Sequence, residues 1–576
     1  MKARRGFWVF VLIVVLFGIS MALYSWTARP TTLVRPSKIV LRFDAPSSLE
    51  ESAPPSGAFA LDVFRRNRMT VWDVVHGLRR AAHDDAVRSV VIHVDGIDWG
   101  WAKIADVRSA LCEFRAAGKP IYASWSGGGE PEYLLASVAD RVAVPPTVAV
   151  QLDGLEMTTM YFRGGLDKLG VSPNFASVGK YKAAVEAYTR TRASDPARAS
   201  LEGVLDETYS LLVDTLAASR GMSPDTLRAR LEGGPWDAAE ARSLGLIDTV
   251  LHVDDLDSLA MRRAGTGADM QSLTRYVDGL DEPVGAPHLA MVVASGAIAG
   301  GRSRESATDG RIVGAESLIE DLRAARERSS VRAIILRIDS PGGDADAADA
   351  IWREVQRCRQ AKPVVVSMSD YAASGGYYIA MGGAPIIAQP ATLTGSIGVF
   401  GGKFNVAGLF AKLGLGLETY QRGAHAGMWS PFEDFTPEEA ALYQRHLERF
   451  YQLFLGRVAA GRHMATADVD SVAQGRVWTG LAAKPRGLVD HLGGIEEAIA
   501  EARIAAHLKR GSDVVLDLYP RDERRIWQRA FAGWFDDPDE SALARALPPE
   551  LRTLAAAAQF PAGSVLALMP FTIRIR

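Results

Sequence analysis

One stretch of this chain is written twice. Val331-Arg332 and the apolar run 333–339 echo Val87-Arg88 and 89–95: positions 331 and 87, like 339 and 95, lie 244 apart. Pro390 and Gly398 repeat Pro146 and Gly154 at the same spacing. Lys362-Pro363 repeats Lys119-Pro120 at 243, and Trp478, Gly487 and Asp490 repeat Trp236, Gly245 and Asp248 at 242. Small drifts of this kind are what loop insertions and deletions produce. A repeat constrains the fold more than any local propensity, because whatever one copy folds into the other must also adopt. Two copies of one unit are expected, over 38–262 and 288–505, joined by a connector, 263–287, rich in Gly, Pro and Asp. The alternative is one large α/β domain with accidental similarity. Several matches at nearly constant offset count against it.

Within a copy the hydrophobic pattern switches period. Leu318, Ile319, Leu322 and Ala325 share one face of a helix over 317–326. A β-rich run follows at 333–338, then a Gly-rich turn, a helix over 346–359 and a strand over 363–368. Strand–helix–strand alternation predicts an α/β fold built on parallel sheets with crossover helices.

The flanks carry different information. Lys2, Arg4 and Arg5 precede an uncharged apolar run whose part 7–26 has the ~20 residues a helix needs to cross a bilayer. The early positive cluster places 1–6 in the cytoplasm and the body on the exported side, although Arg29, Arg35 and Lys38 pull the other way. A cleaved signal peptide ending near Ser20-Met21-Ala22 is the competing reading; the run is longer than the ~7–15 residues usual for one. An uncleaved anchor is therefore expected. In the tail, 506–576, residues 514–519 read as a strand. Ile526, Trp527, Ala530, Phe531, Trp534 and Phe535 form an apolar stripe beside Arg524, Arg525 and Arg529. That stripe suits packing against the body or another subunit, with membrane-surface contact as the alternative. The net charge of −3 gives no case for a nucleic-acid partner. Cys112 and Cys358 have no metal-ligand spacing, and nothing in the sequence asks for a metal or organic cofactor.

Two loops of the second copy stand at the carboxyl ends of predicted strands, where open α/β sheets bind ligands: Asp339-Ser340-Pro341-Gly342-Gly343 and Ala373-Ser374-Gly375-Gly376-Tyr377. A serine at a strand-to-helix turn can expose its Oγ. Glycines let backbone N–H groups approach a substrate carbonyl, so Gly343 and Gly375 are candidate donors to a tetrahedral oxyanion. Either loop alone would read as an ordinary turn. A serine nucleophile needs a base. Of the histidines in and around this copy only His425, in Arg422-Gly-Ala-His-Ala-Gly427, has a site-like setting. A lysine serves instead if burial lowers its pKa.

The residues here resemble a family. Gly179-Lys180-Tyr181-Lys182-Ala183-Ala184-Val185-Glu186 is similar to the catalytic-lysine segment of signal peptide peptidase A, and 372–378 to its nucleophile segment. Thr392-Leu-Thr-Gly-Ser-Ile-Gly398 and Arg337-Ile-Asp-Ser-Pro-Gly-Gly343 also fit its pattern. The chemistry of the residues leaves Lys180 and Lys182 open. The resemblance selects Lys182 as general base and Ser374 as nucleophile; Ser396 is a second candidate hydroxyl, expected to be structural or supporting, for example through a hydrogen bond to the lysine amine. It covers nearly the whole chain, so it is to the long form. It implies tandem duplicated ClpP/crotonase-like domains behind one N-terminal transmembrane helix, in a homotetramer. The implied activity is membrane-bound serine endopeptidase action on remnant signal peptides at the periplasmic side of a bacterial inner membrane. A crotonase-fold enzyme acting on a thioester and a catalytically silent membrane scaffold are the alternatives.

Compared position by position, the copies hold complementary halves. The counterpart of Ser374 is Glu130, those of Gly342 and Gly343 are Asp98 and Trp99, and that of Lys182 is Ala426. An active chain must then build one site from the lysine of the first copy and the serine of the second.

Overall fold

A computed structural model describes residues 36–52, 69–306, 310–520, 563–569 and 575. The apolar run 7–26 and the stripe 526–535 lie outside the described residues. Among the described residues no helix is long and apolar enough to cross a membrane.

Each copy folds around its own sheet. In the first copy six strands run in the order Thr249–Val250, Arg141–Val144, Ile121–Gly127, Val87–Asp95, Ile39–Asp44, Asp269–Ser272, every neighbouring pair parallel. The second copy repeats this with Ile386–Ala388, Val364–Ala373, Val331–Ser340, His288–Ser295 and Val515–Tyr519. Parallel strands need crossovers, supplied here by helices such as Trp101–Ala116 and Ala345–Ala361. The segment 263–287 is more than a connector, since it carries Asp269–Ser272 and the helix Leu273–Asp278. Asp269–Ser272 closes the first sheet as Val515–Tyr519 closes the second.

The duplication extends to individual hydrogen bonds. Tyr133 Oη donates to the Leu246 carbonyl and Tyr377 Oη to that of Leu488. Arg220 pairs with Asp248 at 2.9 Å and Arg462 with Asp490 at 2.6 Å. The indoles of Trp236 and Trp478 donate to the carbonyls of Arg230 and Val472.

The copies are packed core to core. Along a strand alternate side chains face opposite ways. In the second sheet Ala290, Val292, Ile334, Leu336, Val364 and Val366 enter that copy's own core. Leu289, Met291, Ala333, Ile335, Val365 and Ile387 enter the core of the first copy. A third sheet crosses between copies, in the order Arg304–Ser306, Gly310–Gly314, Ala297–Ala299, Gly342–Asp344, Leu566–Leu568, Val399–Asn405, Ser172–Val178. Its last two strands pair antiparallel over seven residues, so a strand of the first copy completes a sheet of the second.

Candidate active site

Ser374 follows the strand Val364–Ala373 and precedes the helix Gly375–Ala380. Its backbone is forced to φ 55°, ψ −111°, a conformation that costs a non-glycine residue about 1–3 kcal/mol. Its N–H donates to the Gly395 carbonyl at 2.8 Å, which locks the turn onto the neighbouring strand. Strain held by surrounding structure marks functional positions, and Ser396 shows it too, at φ 50°.

Lys182 arrives from the other copy. Ser172–Val178 lies along Val399–Asn405, and the chain then turns under the second copy, where the Tyr181 N–H donates to the Gln474 carbonyl at 2.8 Å. The approach is so close that a Cβ on Gly475 would stand 2.6 Å from the Lys182 Cα. Lys182 Nζ lies 2.7 Å from Ser374 Oγ and 3.0 Å from both the carbonyl and the hydroxyl oxygen of Ser396. Both side chains are buried. Burial pushes the Lys182 pKa well below the usual lysine value, and among the described residues no carboxylate pairs with it. Lys180, two residues away, is exposed and lies over the Tyr181 ring. His425 instead faces Glu439, 3.7 Å away.

The two glycines meet at one corner. Gly343 lies in the short strand Gly342–Asp344, packed so tightly that a Cβ there would stand 2.0 Å from the Ile298 carbonyl oxygen. Gly375 opens the helix after the serine, and a Cβ on it would stand 3.1 Å from the Gly343 nitrogen. A serine, an amine whose pKa burial lowers, and paired glycine turns form a constellation suited to acyl transfer.

A set of buried charges lies beneath the site and went unread in the sequence. Arg337 continues the odd-numbered face of its strand into the first copy. There it donates to Glu51 at 2.9 and 3.0 Å, to Asp106 at 2.7 Å, and to the Ser367 and Ser369 hydroxyls. Lys103 reaches Asp339 at 2.8 Å and Asp370 at 3.4 Å. Asp370 also accepts the N–H groups of Ala102 and Lys103 at the start of their helix. Burial acts to raise the Glu51 carboxyl, but Arg337 and Lys103 outweigh it and hold it at about 2. Burial pushes Asp370 up to about 6 against the pull of Lys103. Asp339 leads into the Gly342-Gly343 turn and Asp370 stands four residues before Ser374, so the first copy grips both catalytic strands. Charged residues ending an otherwise apolar run were the available signal.

The first copy keeps the shape of the site without its chemistry. Glu130 opens the helix Glu130–Ala136 where Ser374 precedes the corresponding one, and its carboxylate accepts the N–H groups of Asp153 at 2.9 Å and Gly154 at 2.7 Å.

A strained serine on a duplicated Clp-like α/β unit defines a serine peptidase, and the chain belongs to Peptidase family S49, which matches residues 113–266 and 356–509. Residues 311–393 also match Clp protease. Within the family the organisation is the long, duplicated form of signal peptide peptidase A. Serine protease SPPA, chloroplastic, of Arabidopsis thaliana is 35% identical over 76% of this chain and 66% of its own length. Protease 4 of Salmonella typhi is 32% identical over 84% and 79%, and Protease 4 of Haemophilus influenzae 32% over 76% and 73%.

Proposed function

We propose that the chain is a membrane-anchored endopeptidase that degrades remnant signal peptides, with Ser374 as nucleophile and Lys182 as general base. The observation that carries this is the 2.7 Å approach of Lys182 Nζ to Ser374 Oγ in a buried setting. A neutral amine has two N–H bonds and one lone pair. The Ser396 carbonyl can only accept and takes one N–H, the Ser396 hydroxyl takes the other, and the lone pair is left for the Ser374 proton. As Oγ attacks the peptide carbonyl, Lys182 takes that proton and the N–H groups of Gly343 and Gly375 hold the oxyanion. Lys182 then protonates the leaving amine, and water, deprotonated in turn by Lys182, attacks the acyl-serine and releases the acyl group, the proton returning to Ser374 Oγ. Ser374→Ala is expected to lower kcat/KM on apolar fluorogenic peptides by about 10³-fold or more. Unchanged hydrolysis in that variant would overturn the mechanism.

The apolar run 7–26 supports the anchor and the Lys2, Arg4, Arg5 cluster a catalytic body on the periplasmic side of the inner membrane. Alkali-resistant membrane association that survives deletion of 1–28 would remove the anchor reading. The duplication supports a homotetramer. Gly170 and Gly414, at φ 76° and 73°, and Gly179 and Gly423, at 109° and 105°, bracket equivalent segments 244 residues apart. In the first copy the bracketed strand Ser172–Val178 pairs with Val399–Asn405. In the second, 416–422 has no strand partner among the described residues, and Leu413, Leu415, Leu417 and Tyr420 are exposed. The equivalent of Val399–Asn405 is 155–161. Segment 416–422 of one chain laid on 155–161 of the next repeats the internal contact head to tail, and such a contact gives a ring when the rotation between neighbours closes.

A further inference from the structure

We infer that Gln474 is a positioning residue for the base: it seats the lysine-bearing turn of the first copy against the second and keeps water from the lysine amine. The inference rests on the peptidase reading above, with Lys182 as base, and adds what holds that lysine in place. Gln474 follows the helix Thr466–Val472 and precedes the strand Val477–Thr479. It meets the lysine turn twice. Its carbonyl accepts the Tyr181 N–H at 2.8 Å, and its side-chain Oε1 accepts the Lys180 N–H at 3.3 Å. A Cβ on Gly179 would stand 2.6 Å from the Gln474 carbonyl carbon, so the two backbones touch where the lysine turn begins. The next two residues bond the loop that carries Ser396. The Gly475 N–H donates to the Ile397 carbonyl and the Ser396 N–H to that of Arg476, both at 2.7 Å. One turn therefore fixes Lys182 together with the residue that receives its two N–H bonds.

The repeat shows that the fold does not require this turn. Gln474 stands at φ 55° and Gly475 at φ 78°, left-handed conformations that a residue other than glycine keeps only where its surroundings hold it. Their counterparts 242 residues earlier are Glu232 and Gly233. Glu232 ends the helix Pro224–Glu232 and Gly233 has φ −90°, so the copy that receives no lysine passes this point without strain. In the second copy the side chain braces the strained backbone. The Gln474 Nε2 donates to Asp470 Oδ1 at 2.7 Å, the same oxygen accepts the Tyr451 hydroxyl, and Tyr451 Oη accepts the Gln474 N–H at 3.2 Å. An amide whose NH2 is committed to a carboxylate presents its oxygen to the other side, here to Lys180. The charged groups around the lysine turn are Lys180 and Arg476, over the Tyr181 ring at 4.8 and 5.2 Å, and Asp470, engaged as described. None of them bonds Lys182 Nζ, whose partners are Ser374 and Ser396. Exclusion of water is then what disfavours the ammonium, and a loosened turn would admit water to it.

The test uses the full chain and an apolar fluorogenic peptide, with kcat/KM followed from neutral pH to the 10.5 of free lysine. Gln474→Gly keeps the left-handed backbone without strain and removes only the side chain. The apparent pKa of the rate profile should rise by about one, which lowers kcat/KM about tenfold on the limb below it and restores it on the plateau above. KM should stay within about twofold, because the loss lies in the fraction of free base. Asp470→Ala, which frees the Gln474 amide, should move the profile in the same direction by less. A loss of rate that is equal at every pH in both variants, or no loss, overturns the inference. Hydrogen exchange gives a readout that needs no turnover: in Gln474→Gly the amides of 180–182 should exchange faster while those of Val364–Ala373 keep their protection. Exchange that is unchanged, or raised equally in both places, overturns it as well. Ser374→Ala run alongside separates the two readings. Hydrolysis lost in Ser374→Ala with an unmoved profile in the Gln474 and Asp470 variants sinks the positioning role and keeps the peptidase. Hydrolysis that persists in Ser374→Ala sinks both.

Discussion

Lys182 is kept at a cost to stability, and the cost has a pH signature. Its amine titrates near 10.5 in an unfolded chain and well below that when folded, because burial disfavours the ammonium. Between those two values the unfolded chain binds a proton that the folded chain lacks, so stability rises with pH up to about 10.5. Lys182→Met removes the term and nearly conserves volume. Its melting temperature should exceed that of the wild type near neutral pH, with the advantage shrinking toward pH 10.5, while hydrolysis is abolished. A melting-temperature difference flat across that range would mean that Lys182 is charged in the folded chain. The rate profile follows from the same group: kcat/KM should rise through an apparent pKa below that of free lysine. The residues by themselves left Lys180 and Lys182 open, and the resemblance chose between them. What separates the two in the structure is burial, which depends on a turn packed under the other copy.

At the scale of elements, strand parity does much of the work. The strand Val331–Ser340 was legible from its apolar run, the helix Ala345–Ala361 extends slightly beyond the range read from the sequence, and the strand Val364–Ala373 runs five residues past the end read for it. Period two puts Ala333, Ile335 and Arg337 on one face, but a run of residues does not say what that face meets. It meets the first copy, where Glu51 and Asp106 supply the charges that Arg337 needs. Arg337→Met would leave two buried carboxylates without their partner, a change that costs about 3–5 kcal/mol. Thermal unfolding should show the loss, and adding Glu51→Gln should restore part of it. Recovery of nothing would mean that the pair is not energetically coupled. The apolar run 565–569, bounded by Gly563-Ser564 and Pro570, carried an equally plain strand signal. Its place between Gly342–Asp344 and Val399–Asn405 depends on pairing across more than 150 residues of chain.

At the scale of the molecule the duplication explains why there is one complete site. Lys182 and Ser374 belong to different copies of the same chain and touch within it. Mixing the Lys182→Ala and Ser374→Ala proteins should therefore recover no hydrolysis, and recovered activity would show that the pair forms between chains. The head-to-tail contact gives a separate prediction. Leu417→Asp should lower the mass measured by light scattering from a tetramer to smaller species; an unaltered mass would place the subunit contact elsewhere. Neither outcome depends on the other, because the lysine and the serine meet across the internal interface and Leu417 lies outside it.

A repeated α/β unit, with a serine at a strand-to-helix turn in one copy and none in the other, was legible from the residues alone. Those features are local: a repeat, a period of two or 3.6 residues and a glycine turn are all written within a few dozen positions. It took the packing of distant segments to bring Lys182 to 2.7 Å from Ser374, to join the copies through Arg337 and Lys103, and to pair Leu566–Leu568 with Gly342–Asp344 and Val399–Asn405. Each of these depends on register between segments far apart in the chain. Register is set by how two cores pack against a shared sheet, and no single stretch of either copy carries that information.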